Sequence, residues 1–166
     1  MAVPARRPDV TTPADRSITT ATLAIVVAYL LTSAHHVYGG LTTTATNRLL
    51  VPAILAPTVI IALGSLHVLR RSGRRTARRI GLGLFATVAI LVWVILLGGL
   101  HGAYAHLYKD VVYLLDAPAH LYVALNPNEH YPPDDILFEI TGLLDVATAT
   151  WVAVATARLI RTPTSA

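Results

Sequence analysis

The sequence predicts an all-α integral membrane protein: a four-helix bundle with a partly helical extracytoplasmic segment between helices 3 and 4. Three observations carry this. The chain is 54% hydrophobic and only 13% charged, against roughly 25% charged in ordinary soluble proteins. Its apolar residues gather in four runs, each close to the ~20 residues that cross a ~30 Å hydrocarbon core. Its arginines collect at alternate ends of those runs. A soluble domain of 166 residues could not hide so much apolar surface in its own core.

The first run is Ile18 to Tyr38. The second, Leu49 to Leu69, contains Pro52 and Pro57, which free backbone carbonyls and can kink a helix. The third, Ile80 to Leu100, carries no charge and ends in Gly98-x-x-x-Gly102, a motif that lets helices approach closely. The fourth, Ile136 to Ile160, is interrupted by Glu139, Asp145 and Arg158, and Asp134 or Asp135 is placed to cap it. Helices are expected because hydrocarbon leaves no backbone group without an internal partner. Residues 1–16 read as a disordered cytoplasmic tail, 17–161 as one transmembrane domain, and 162–166 as a second cytoplasmic tail. Thr32-Ser33-Ala34 loosely fits a signal-peptide cleavage site, but an uncleaved first span is the simpler reading.

Orientation follows from charge. Arg6, Arg7, Arg16, Arg70, Arg71, Arg74, Arg75, Arg78, Arg79, Arg158 and Arg161 fall on one side, and only Arg48 and Lys109 on the other. The positive-inside rule makes the first side cytoplasmic and puts both termini there, in a cell-membrane protein. Arg70–Arg79 is a topology signal that also meets anionic lipid; so short a loop gives no reason to invoke nucleic acid. The outer side holds Gly39–Arg48 and the long segment His101–Asp135, with Tyr38, Tyr104, Tyr108, Tyr113, Tyr122 and Tyr131 suited to the headgroup layer. Gly102 to Leu115 is a candidate to continue the third helix, and Asn126-Pro127-Asn128 and Tyr131-Pro132-Pro133-Asp134 read as turns.

Six of seven histidines lie on that outer side: His35, His36, His101, His106, His120 and His130, with only His67 near the other face. His35-His36-Val37-Tyr38 and His101-Gly102-Ala103-Tyr104 share a His-x-x-Tyr pattern, either a trace of hairpin duplication or chance. Three uses compete. Neutral imidazole binds zinc, copper, iron and nickel, so His35, His36, His101 and His106 with Glu139 could hold a transition metal. Paired histidines on two helices could instead hold a b-type haem. The third use is interfacial histidine with no cofactor. His106 and Asp110, at i and i+4, share a face if the third helix continues that far.

Asp145 lies nine residues past Ile136, which is ~13 Å along a helix and close to mid-bilayer. An aspartate there costs ~2.5–3.5 kcal/mol unless protonated, paired or in a wet cavity. Thr141, Asp145 and Thr148 share one face, and Ser33, Thr58, Ser65 and Thr87 are candidate partners for the carboxyl group. Absent cysteine excludes disulfides, zinc–thiolate sites and iron–sulfur clusters. No phosphate loop or nucleophile elbow points to soluble-enzyme chemistry. What remains is a multi-pass membrane protein of undetermined activity with a metal or haem on outer-leaflet histidines. The alternative is a small transporter, channel or accessory subunit using Asp145. Homo-oligomers and larger membrane complexes are both open.

Overall fold

The computed structural model describes residues 12–43, 45–118, 120–123 and 135–162. Among them there is no strand, and four helices are long and apolar enough to cross a membrane. Helix α1 is Pro13–Thr42, α2 is Val51–Arg71, α3 is Arg75–Leu114 and α4 is Ile136–Arg161. A 3₁₀ turn, Thr46–Leu50, leads into α2, and one helical turn covers His120–Val123. The expected Asn-Pro-Asn and Tyr-Pro-Pro-Asp turns, with Asp134, lie outside the described residues.

Local chemistry sets the ends. Thr12 caps α1 by accepting from Asp15 N–H at 3.1 Å, and Pro13 occupies the first turn, where its missing N–H costs nothing. Helix α1 therefore starts inside the segment expected as a tail. Asp135 caps α4, its Oδ1 accepting from the N–H groups of Leu137 and Phe138 at 2.9 and 3.1 Å. Helix α3 does continue past the third apolar run, to Leu114.

That continuation is not a plain α-helix. From Ala89 to Tyr108 the backbone bonds widen to the π pattern, i to i+5, with α-helical turns on either side. Such geometry is rare and usually confined to a single turn. It matters because His101 and His106 are five residues apart. On an α-helix they would point about 140° away from each other. A π pattern returns them to one face.

Two levels of packing share the same helix faces. Toward the arginine end the core is apolar: Ile18, Ala21 and Ile25 of α1 meet Leu66, Phe85, Trp93, Val152 and Leu159. Toward the opposite end the buried positions turn polar: Thr32, His35 and His36 on α1, His106 and Lys109 on α3, Glu139 and Asp145 on α4. The outward faces carry large apolar side chains, with Ile54, Ile60 and Ile136 exposed at 67%, 70% and 80%. Surfaces this apolar suit lipid, not water. An Arg70–Asp15 pair at 3.8 Å and a Ser17–Thr162 hydroxyl contact at 3.1 Å put the start of α1, the α2–α3 turn and the end of α4 together.

Glycines bring α3 onto α4. A Cβ on Gly98 would collide with Ala149 Cβ, and one on Gly102 would stand 3.0 Å from Val146 N and 3.2 Å from Asp145 Cβ. The Gly-x-x-x-Gly motif is therefore a close-approach surface, and it sets the depth at which His101 meets α4. Gly98→Ala should destabilise the protein by about 1–3 kcal/mol through overpacking. Adding Ala149→Gly should recover more than half of that loss. Denaturant unfolding of the purified protein in detergent measures both.

Candidate metal centre

Three helices build a histidine cluster at the polar end. The ring centroids of His35 lie 5.1, 5.0 and 4.9 Å from those of His36, His101 and His106. His101 lies 4.7 Å from His36 and 5.0 Å from His106. One ring nitrogen each from His35, His101 and His106 falls within 4.8 Å of the other two. Phe138 stacks on His35 at 4.2 Å and closes one side, with the Arg48 guanidinium 4.7 Å above its ring.

Helix α4 supplies an oxygen to one ring nitrogen of each of these three histidines. Asp145 Oδ2 is 3.0 Å from His101 Nδ1, and Glu139 Oε2 is 2.6 Å from His106 Nδ1. A carboxylate only accepts, so both Nδ1 atoms carry the proton. Thr141 spends its hydroxyl proton on backbone carbonyls of Leu137 and Phe138, and its oxygen accepts from His35 Nδ1 at 3.0 Å. All three rings thus have Nδ1 engaged by an oxygen of α4, and in the neutral imidazole the lone pair is then on Nε2. These tautomers are assigned from the hydrogen-bond partners. His35 Nε2 is buried with no hydrogen-bond partner, and so is His36 Nδ1.

The carboxylates are themselves held. Thr32 donates to Asp145 Oδ1 at 2.7 Å, and Lys109 pairs with Glu139 Oε1. Asp145 and Lys109 are each 1% exposed. Asp145 takes Thr32 and His101 as partners, not Ser33, Thr58, Ser65 or Thr87. Ser33 is one residue along from Thr32, which turns it about 100° away from the same face. His106 draws its carboxylate from Glu139 and not from Asp110, whose Oδ1 is buried without a partner. Thr148 shares the Asp145 face but bonds its own helix, at Leu144 O and Asp145 O, 3.1 and 3.2 Å away. His67 is exposed and on the other half of the molecule. His120 is exposed, and His130 lies outside the described residues.

Lys109, Thr32 and Phe138 escaped the sequence reading. Lys109 stood there as a stray outer-side cation, yet Glu139 needs a counter-charge once buried, and that requirement could have found it. Comparison of the chain with protein-family models, with curated proteins and with solved structures finds no match.

At the mouth, the Tyr38 hydroxyl donates to Asp135 Oδ2 at 2.7 Å. That bond first, and the Phe138 and Leu137 N–H groups with it, hold the Asp135 carboxyl below the usual carboxylate range. A depressed folded value means this stabilisation is present above the unfolded carboxylate value of about 3.9, and is lost as pH falls through the folded value. Tyr38→Phe should raise the Asp135 midpoint toward the unfolded value, as read by carboxyl NMR titration; an unmoved midpoint removes Tyr38 as the main cause. Glu139→Gln should strand Lys109 and cost about 3–5 kcal/mol. Lys109→Met with Glu139→Gln should cost less than half as much, because no lone buried charge is left. Unfolding in detergent compares the two.

Proposed function

We propose that this is a multi-pass membrane protein that binds a transition-metal ion at its outer end through the Nε2 atoms of His35, His101 and His106. The observation that carries the reading is that one ring nitrogen each of His35, His101 and His106 lies within 4.8 Å of the other two, while Nδ1 of each ring meets an oxygen on α4. Metal-ligating histidines are usually oriented in this way by outer-shell acceptors. Ring nitrogens gathered inside 4.8 Å of one another are close enough for a single cation to bridge them. An ion with ~2.0–2.1 Å bonds would draw the nitrogens to about 3.4 Å in a tetrahedral set.

His36 is the candidate fourth donor, since its buried Nδ1 has no other partner. Glu139 was a candidate ligand on sequence; its two oxygens are taken by His106 and Lys109, so its proposed role is to orient His106. The Glu139 and Asp145 carboxylates stand directly behind the His106 and His101 rings, which raises the basicity of those imidazoles as ligands. With no cysteine and a single methionine, the donor set is imidazole, suited to zinc, copper(II), iron or nickel. Haem has less support. Rings packed edge to face at about 5 Å would have to part to admit a macrocycle.

The transport reading of Asp145 also has less support, because both its oxygens are bonded within the cluster. In the proposed topology the arginine end is cytoplasmic, so both termini are cytoplasmic and the metal sits at the outer leaflet of the cell membrane. Purified protein should carry about one transition-metal ion per chain by elemental analysis. Alanine at His35, His101 or His106 should abolish it. Asp145→Asn should weaken affinity by about 10–100-fold, the usual effect of losing an outer-shell partner. Folded protein that stays metal-free in excess zinc, copper, nickel and iron ends the proposal, and a Soret band replaces it with haem.

A further inference from the structure

At the arginine end, on the side of the molecule away from α1 and α4, helices α2 and α3 leave an open groove of about 400 Å³. Ile60, Gly64 and Val68 form one wall, and Ala77, Gly81 and Leu84 the other. The groove is apolar, and its size falls within the ~300–1,000 Å³ of ordinary ligand sites. Gly64 makes part of the space: a Cβ built there meets nothing within 4 Å.

Continuing each wall toward the α2–α3 turn reaches an arginine. Arg71 is three residues beyond Val68 on the same face of α2, and Arg74 is the extended N-cap residue immediately before α3, three residues ahead of Ala77 in the chain. Both are exposed. Ser72 and Gly73 alone separate them in the chain, so both arginines stand at the α2–α3 turn, at the arginine end of the groove. From Ile60 to Arg71 is about 16 Å along the helix, close to the ~15 Å hydrocarbon depth of a single leaflet. A slot one leaflet deep, apolar along its length and doubly cationic at its water-facing end, matches one class of molecule.

We propose that α2 and α3 bind one anionic diacyl phospholipid of the arginine-side leaflet, an acyl chain in the groove and the headgroup phosphate at Arg71 and Arg74. Arg75 and Arg79 do not belong to the site: each is two residues from Ala77, which turns it about 200° from that wall. This separates a site from general attraction of a basic loop to an acidic membrane, which all the arginines would share. The proposal stands independently of the metal.

Native mass spectrometry of the whole chain in mild detergent tests it, with dioleoyl phosphatidylglycerol and dioleoyl phosphatidylcholine as probes. One phosphatidylglycerol per chain should be retained at least fivefold better than phosphatidylcholine, since one arginine near an anionic surface is worth roughly that factor. The pair Arg71→Gln, Arg74→Gln should erase the preference. The charge-matched pair Arg75→Gln, Arg79→Gln should keep it. Gly64→Phe should fill the groove and remove retention of both lipids while helicity is unchanged. Equal retention of the two lipids overturns the proposal, as does equal loss in the two arginine pairs or an unaffected Gly64→Phe. A dimer that Gly64→Phe dissolves without any lipid having bound gives the groove to a second copy and overturns it as well.

Discussion

Asp145 and Glu139 are buried on one helix, and neither has water to solvate its charge. Burying an unpaired carboxylate costs several kcal/mol, a large part of a small protein's stability, so donors on neighbouring helices are strongly favoured. The donors found are Thr32 and His101 for Asp145, His106 and Lys109 for Glu139. This requirement fixes more than two contacts. It sets the rotation of α1 and α3 against α4, and it sets the tautomers of the histidines. The gathering of the imidazoles follows from satisfying the carboxylates, with Thr141 holding His35.

Small side chains make the requirement affordable in space. A hydrogen bond of 3.0 Å between side chains on two helices needs backbones close together, and bulky residues at the crossing would hold them apart. Gly98 and Gly102 let α3 lie against Ala149, Val146 and Asp145, and Gly142 leaves room for the His106 ring where a Cβ would overlap it. In the apolar level the same helices meet through Ile25, Leu66, Phe85 and Trp93, whose contacts are diffuse and tolerate sliding. The polar level tolerates none, since a shift of one ångström breaks charged hydrogen bonds. Register is therefore held at one end of the molecule.

Much of the fold was legible in the sequence because hydropathy and charge vary over whole helices. Four runs of apolar residues became four long helices; most ends moved by a few residues, while α3 runs on fourteen residues past Leu100 to Leu114. That His35, His36, His101 and His106 sit at one end of the bundle follows from counting the runs. Which atoms meet was not legible. His101 and His106 look like residues on different faces under any α-helical reading, and only the widened backbone of α3 brings them together. Asp145 was seen as an anomaly needing a partner, yet Thr32 and Ser33 are indistinguishable without the helix rotation. Lys109 looked like a solvated outer charge because its neighbour Glu139 is thirty residues away in the chain.

The widened turns of α3 carry a cost that the site explains. A π pattern opens the helix and weakens its internal packing, so a long run of it persists only where other contacts compensate. In α3 the run ends at Tyr108, where the α-helix resumes at Lys109. Within it sit both histidines that bond to α4, and both glycines that let α4 approach. Straightening α3 to an α-helix would set His106 about 140° around the helix from His101 and pull at least one imidazole away from its carboxylate. The buried carboxylates thus hold the backbone in its unusual form, and that form in turn holds three imidazoles around one point.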